Sequence, residues 1–175
     1  MLIDAVTPLL LEHGRAVTTR QIAECAGIAE GTIFRAFGSK DELIRAAVAK
    51  QLDPEPLRRQ LRAVDPALPL EERVRAIVTL MRGRFTTVFT LMTALGTPPP
   101  GRDVRQEFSE IMGRALAPDL ERLNVEPARA AQIIRMLALA ATVPHVRNGP
   151  PFDDADITAL ILYGIIGVPA ASTTL

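Results

Sequence analysis

The sequence predicts an all-α fold: an N-terminal three-helix head of the helix-turn-helix type and a larger helical bundle behind it. Three observations carry this expectation. Apolar residues recur at three- and four-residue spacing through successive segments that are punctuated by cap residues and glycines. No segment alternates apolar and polar residues as a half-buried strand does. Two short capped helices early in the chain are joined by only Gly27-Ile28-Ala29.

The first helix is expected over Leu2–Glu12, where Leu2, Val6, Leu9 and Leu10 form one stripe and His13-Gly14 supplies the stop. Thr18 caps a second, short helix ending at Ala26, with Gln21 placed to complete a capping box. A third runs over Ala29–Phe37 and breaks at Gly38. Ser39, with Glu42 three residues on, opens a fourth that ends near Leu52, before Asp53-Pro54. A boundary is expected there, giving a head over residues 1–52 and a body over residues 53–175. Pro54, Pro56, Pro66 and Pro69 surround a short helix at Leu57–Val64, whose Arg58, Arg59 and Arg62 read as a solvated basic turn. A long helix follows over Leu70–Leu95, then a rigid loop through Pro98-Pro99-Pro100-Gly101. Further helices are expected over Asp103–Ala117, Pro127–Val143 and Asp154–Val168.

Composition narrows the function classes. Lys and Arg number 20 and so do Asp and Glu, so the chain has no bulk positive charge. The head alone balances Arg15, Arg20, Arg35, Lys40, Arg45 and Lys50 against Asp4, Glu12, Glu24, Glu30, Asp41 and Glu42. Any contact with nucleic acid must therefore come from individually placed groups. The single cysteine, Cys25, excludes an intrachain disulfide framework and fits a reducing cytosol. It reads as a buried thiol on the inner side of the second helix. Met1–Leu11 lacks the basic start and small-residue cleavage site of a secretion signal. The longest apolar run, Ile157–Val168, is well short of the ~20 residues that span a bilayer. A cytoplasmic protein with no membrane partner is expected. His13 and His145 are far apart and have no paired cysteines, so no metal site is expected, and no cofactor. With no phosphate-binding loop, dinucleotide fingerprint, nucleophile elbow or paired carboxylates, an enzyme is not expected and no catalytic residue is assigned.

Residues 18–42, TTRQIAECAGIAEGTIFRAFGSKDE, hold the arrangement that matters most. A helix, a short glycine-containing turn and a second helix form the unit whose second helix enters the DNA major groove. Ile22, Ala23 and Ala26 share one face of the first helix, Ile33 and Phe37 one face of the second, and Ile28 packs between them. Glu30, Thr32, Arg35 and Ala36 are left outward. Gly31, near the helix start, lets the backbone approach a phosphate closely.

The string IAECAGIAEGTIFRAFGSKDEL resembles the signature of the TetR family: an Ile-Ala pair, Ala-Gly in the turn, Gly-Thr at the recognition helix, an apolar-aromatic pair, Phe, then Ser-Lys-x-Glu-Leu. The match runs over about fifty residues, from Leu2 to Leu52. The resemblance implies a dimeric DNA-binding repressor that reads a palindromic operator in double-stranded DNA. It places Thr18 and Thr19 against phosphate, Thr32 and Arg35 toward the groove, and Phe34 beside the backbone where the family usually has tyrosine. An arginine so placed pairs with guanine O6 and N7. Lys40, at the start of the fourth helix, would meet phosphate together with the helix dipole. The sequence departs from the pattern at Glu30, often lysine, at Phe34, and at Ala36, often histidine. Ala29 offers no cap to the recognition helix. Modest affinity or an unusual operator is the expectation, and a dimeric helical small-molecule-binding module that has lost operator binding is the alternative.

The body carries two further expectations. Met136–Val143 and Ile157–Val168 are apolar nearly all round, which calls for cover on every side. The resemblance implies a homodimer through these last two helices, with Gly164 and Gly167 permitting close approach; a self-contained core is the plain alternative. Met81, Phe85, Phe89 and Met92 on the long helix, with Phe108, Met112 and Met136, suit an adaptable pocket for a small hydrophobic or amphipathic effector. Ordinary core is the plain reading of each.

Overall fold

The structure is a computed structural model and describes residues 2–96, 105–143 and 149–164. The described residues form α-helices and short 3-10 turns, with no strand among them: α1 (Leu2–His13), α2 (Thr19–Ala26), α3 (Glu30–Phe37), α4 (Lys40–Gln51), α5 (Glu55–Arg62), α6 (Leu70–Leu95), α7 (Arg105–Leu116), α8 (Pro127–Thr142) and α9 (Asp154–Tyr163). No helix of these is long and apolar enough to cross a membrane. The all-α expectation, an N-terminal helix-turn-helix followed by a helical bundle, holds.

Two compact units divide the chain. One comprises Met1–Asp53 and Thr87–Arg102, the other Pro54–Thr86 and Asp103–Leu175. The long helix α6 therefore gives its last turns to the first unit, although nothing in its apolar spacing marks a change at Thr87.

In the first unit α1 packs on α2 and α4, and α3 on both α2 and α4. Val6, Leu10, Val17, Ile22, Ala23, Ile33, Leu43, Ile44, Ala47 and Val48 form its core, joined by Leu95 from the end of α6. Ile28 and Phe37 pack against this cluster. The inner faces read from the sequence thus close as expected, except that Ala26 is not part of this cluster. Cys25 does not: it is exposed, with its thiol 3.7 Å from the Ala5 carbonyl oxygen. α2 turns Ile22 and Ala23 to the core, and Cys25, off that stripe, falls at the rim beside α1.

In the second unit α7 packs on α5 and α8, and α8 on α9. The core includes Leu61, Val74, Ile77, Val78, Met81, Phe108, Met112, Leu116, Ile134, Ala138 and Ile157. Arg58 is not on a solvated face. It is largely buried and pairs with Glu55 of its own helix and Glu107 of α7. A 3-10 segment over Ala117–Arg122, absent from the sequence reading, carries Asp119 to the buried Arg73. Helix α9 is shorter than the expected Asp154–Val168: it ends at Tyr163, capped by Gly164 with φ +66°, a left-handed value that suits glycine. Residues 165–168, with Gly167, and also His145 lie outside the described residues.

Candidate nucleic-acid interface

The elements α2, α3 and α4 position the head's candidate residues, and local chemistry explains each start and stop. Thr18 caps α2. Its Oγ1 accepts from the Gln21 amide at 3.2 Å, and Gln21 Oε1 accepts from the Thr18 amide at 2.8 Å, closing the expected capping box. Gly27 ends α2 at φ +66°, and its amide returns to the carbonyls of Ala23 and Glu24. The Ile28 amide also bonds the Ala23 carbonyl, at 3.0 Å, so the turn is fixed before α3 begins. Ala29 precedes α3 with no side-chain cap. Ser39 caps α4, accepting from the Glu42 amide at 3.2 Å.

Helix α3 buries Ile33 and leaves Phe34, Arg35 and Ala36 exposed, with Thr32 half-buried. Phe34 is 48% exposed, an unusual degree of exposure for a phenylalanine. Among the described residues no hydrogen bond or ion pair holds the Arg35 guanidinium. A Cβ added at Gly31 would meet nothing of this chain, so the space beside that backbone is open. Thr18, Thr19, Gly31, Thr32, Phe34, Arg35 and Lys40 all belong to the first unit.

Two of these side chains are engaged differently from the expectation. The Thr19 hydroxyl donates to Glu30 Oε1 across the turn. A hydroxyl has one hydrogen, so Thr19 cannot also donate it to a phosphate. The Thr18 hydroxyl likewise donates to Gln21 Oε1, at 2.9 Å. What the start of α2 leaves to offer a phosphate is backbone amide groups of its first turn and the exposed guanidinium of Arg20, whose Nε is held by Glu24. The Lys40 ammonium donates to the carbonyls of Arg15 at 3.2 Å and Val17 at 3.1 Å. It ties the segment that leads into α2 to the start of α4, and one of its three hydrogens remains for another acceptor.

The effector residues chosen from the sequence are not brought together as one wall. Met81, Phe108 and Met112 are buried in the second unit's core, with Phe85 packed against it. Phe89 and Met92 lie on the part of α6 that belongs to the first unit. Met136 is 54% exposed on α8, which turns Ala131, Ile134, Ala138 and Ala141 inward instead. Gln132 and Arg129, four and seven residues before it, share that outward side of the helix.

The second unit holds a cleft of about 580 Å³ that none of those residues lines. Leu70 and Val74 of α6, Leu123 and Val125, Ile133 and Ile134 of α8, and Ile161 and Leu162 of α9 form apolar walls. Glu71, Arg122, Asn124 and Tyr163 supply polar groups. These residues come from separate stretches, each ordinary by itself, so no sequence signal marked them.

Comparison with known proteins agrees with this architecture. The family described as bacterial regulatory proteins, tetR family, matches residues 2–47. The uncharacterized HTH-type transcriptional regulator YhgD of Bacillus subtilis (strain 168) is 24% identical over 97% of this chain and 96% of its own length. A second regulator of that organism, the uncharacterized HTH-type transcriptional regulator YvkB, is 44% identical over 50 residues, 28% of this chain and 26% of its own. Among solved structures, a TetR transcriptional regulator from Streptomyces coelicolor superposes with a TM-score of 0.58 at 23% identity, covering 92% of this chain and 94% of that one. A TetR family protein from Vibrio parahaemolyticus gives a TM-score of 0.50 at 19% identity over 91% and 94%. These two likenesses establish the fold.

Proposed function

We propose that the chain, whose residues 2–47 match the tetR family of bacterial regulatory proteins, is a TetR-type regulator that represses transcription by occupying a palindromic operator as a homodimer and leaves it when a small hydrophobic or amphipathic molecule binds the body. The observation that carries the reading is α3: a helix held on its inner face by Ile33 and Phe37 and presenting Arg35 unpaired to solvent. Such a guanidinium is free to make the bidentate bond to guanine that specifies sequence. Open space at Gly31 and the remaining hydrogen of Lys40 are available to phosphate.

Dimerisation through α8 and α9 gives a two-fold pair of heads, which a palindrome matches. Support comes from what these helices leave uncovered: Met136 and Ala140 on α8, Ala159 and Tyr163 on α9. Effector binding draws its support from the cleft rather than from Met81, Phe108 and Met112, which are already packed. Its volume falls in the range of about 300–1,000 Å³ usual for small-ligand sites. Apolar walls with a few polar groups suit an amphipathic molecule. Residues 1–52 are then the operator-reading part and residues 53–175 the sensing and dimerising part, with α6 common to both.

Selection of binding sites from a pool of random duplex DNA tests the proposal. Enrichment of a palindrome whose half-sites are about one helical turn apart is expected. A folded protein that enriches no sequence would instead be the binding module that has lost its operator.

A further inference from the structure

We propose that Glu30 is a base-reading residue of the recognition helix, accepting a hydrogen bond from a cytosine amino group, and that Thr19 is the positioning residue that aims it. The inference rests on the reading of α3 as the operator-binding helix and deepens it.

Glu30 stands exposed in the first turn of α3, one helical turn before Phe34 and on the part of the chain that presents Arg35. A carboxylate there faces a polyanion. Left loose, it would be driven away from the phosphates and would hold no fixed direction toward a base. It is not loose: the Thr19 hydroxyl, from the first residue of α2, donates to Oε1. That bond restricts the rotamer and occupies one lone pair. Among the described residues no hydrogen bond occupies Oε2, and the neighbouring Arg20 acts on the carboxylate only through its charge, so Glu30 keeps accepting capacity.

An ionised carboxylate can only accept. In the major groove the base-edge donors are cytosine N4 and adenine N6. Adenine sets its N7 acceptor next to N6, and a carboxylate meeting both is repelled by one. Cytosine N4 carries no such neighbour on its own base, which makes it the better partner. Arg35 and Glu30 then divide the work, one donating to guanine and the other accepting from cytosine.

The test uses the full-length protein and the sites recovered from the random pool, with every base pair of one half-site varied in turn. Wild type is expected to prefer cytosine at one position by roughly 5- to 150-fold. Glu30→Ala flattens the preference at that position alone. Glu30→Gln, whose amide can both donate and accept, moves it toward adenine. Thr19→Val weakens the same preference without touching the others. In each variant the slope of log affinity against log salt stays as in wild type, because no phosphate contact has changed. The opposite pattern overturns the inference: Glu30→Ala binding every sequence more tightly by one common factor, with an unaltered base profile and a steeper salt slope, would make Glu30 a phosphate repellent. A wild-type protein that enriches no sequence overturns the operator reading, and this inference with it.

Discussion

The ammonium of Lys40 lies 3.1 Å from the carbonyl oxygen of Val17. Lys40 opens α4, where a positive charge opposes the helix dipole. Its side chain resolves the conflict by reaching back to the carbonyls of Arg15 and Val17, at the end of the 3-10 turn Gly14–Ala16. A position that the family resemblance assigns to phosphate is thereby also a structural tie. Lys40→Ala is expected to lower stability by about 1–2 kcal/mol, as for a charged hydrogen bond near the surface. Denaturant unfolding of the purified variant measures it. A variant as stable as wild type but weaker on DNA would return Lys40 to a phosphate role alone.

Gly14 and Gly27 both take left-handed backbone, φ +56° and +66°, but differ in their surroundings. A Cβ at Gly14 would collide with the Ala94 carbonyl oxygen of α6, whereas one at Gly27 meets nothing. Gly27→Ala should therefore cost only the conformational penalty, roughly 1–2 kcal/mol. Gly14→Ala should cost more, because backbone must move. Thermal unfolding of the two variants side by side ranks them, and equal losses would mean that α6 gives way freely at Ala94.

How much of this was legible in the sequence follows the same division between local and distant causes. The capping box of Thr18 and Gln21, the Ser39 cap, the α2 face of Ile22 and Ala23 and the α3 face of Ile33 and Phe37 each depend on residues a few positions apart, and the sequence alone predicts them. The carbonyl target of Lys40, the bond from Thr19 to Glu30 and the placing of Leu95 in the head core depend on which segments meet in space. Spacing along α6 is the same before and after Thr87, so its change of allegiance left no mark. Met136 shows a third case: Met136–Val143 taken alone is apolar all round, and only Arg129 and Gln132, seven and four residues before Met136, mark its side of α8 as the outward one.

Arg73 is 2% exposed and paired with Asp119, and it donates to the carbonyls of Pro66 at 3.1 Å and Ala115 at 3.0 Å. Removing one member of a buried ion pair strands the other. Arg73→Ala is expected to cost about 3–5 kcal/mol. Asp119 also binds Arg122 at 2.8 Å, so its charge is not wholly orphaned. Combining Arg73→Ala with Asp119→Asn should cost less than the sum of the two changes. A double-mutant cycle by chemical denaturation checks this, and simple additivity would show that the pair carries no coupling.

Asp154, in the first turn of α9, accepts from Thr79 and Arg82 of α6. Partial burial pushes its carboxyl up, yet those two bonds and the Arg82 charge together hold it below the ordinary 3.8. A carboxyl depressed on folding stabilises above its unfolded value and ceases to do so as pH falls through the folded one. Asp154→Asn is thus expected to destabilise near neutral pH by about 1–2 kcal/mol, with the gap from wild type closing in acid below pH 3.8. Unfolding free energies of both proteins across that range measure the effect; a gap independent of pH would assign the anchoring to packing instead.

On the proposed function, α3 reads DNA through Arg35. A quantitative gel-shift on the selected operator, with scrambled duplex as competitor and wild type against Arg35→Ala, tests it most directly. Selective binding by wild type is expected, with a loss of about 1–3 kcal/mol in the variant, concentrated on the operator while scrambled DNA is bound nearly as before. Equal binding of operator and scrambled duplex by wild type, or an Arg35→Ala protein that keeps full selectivity, would contradict it.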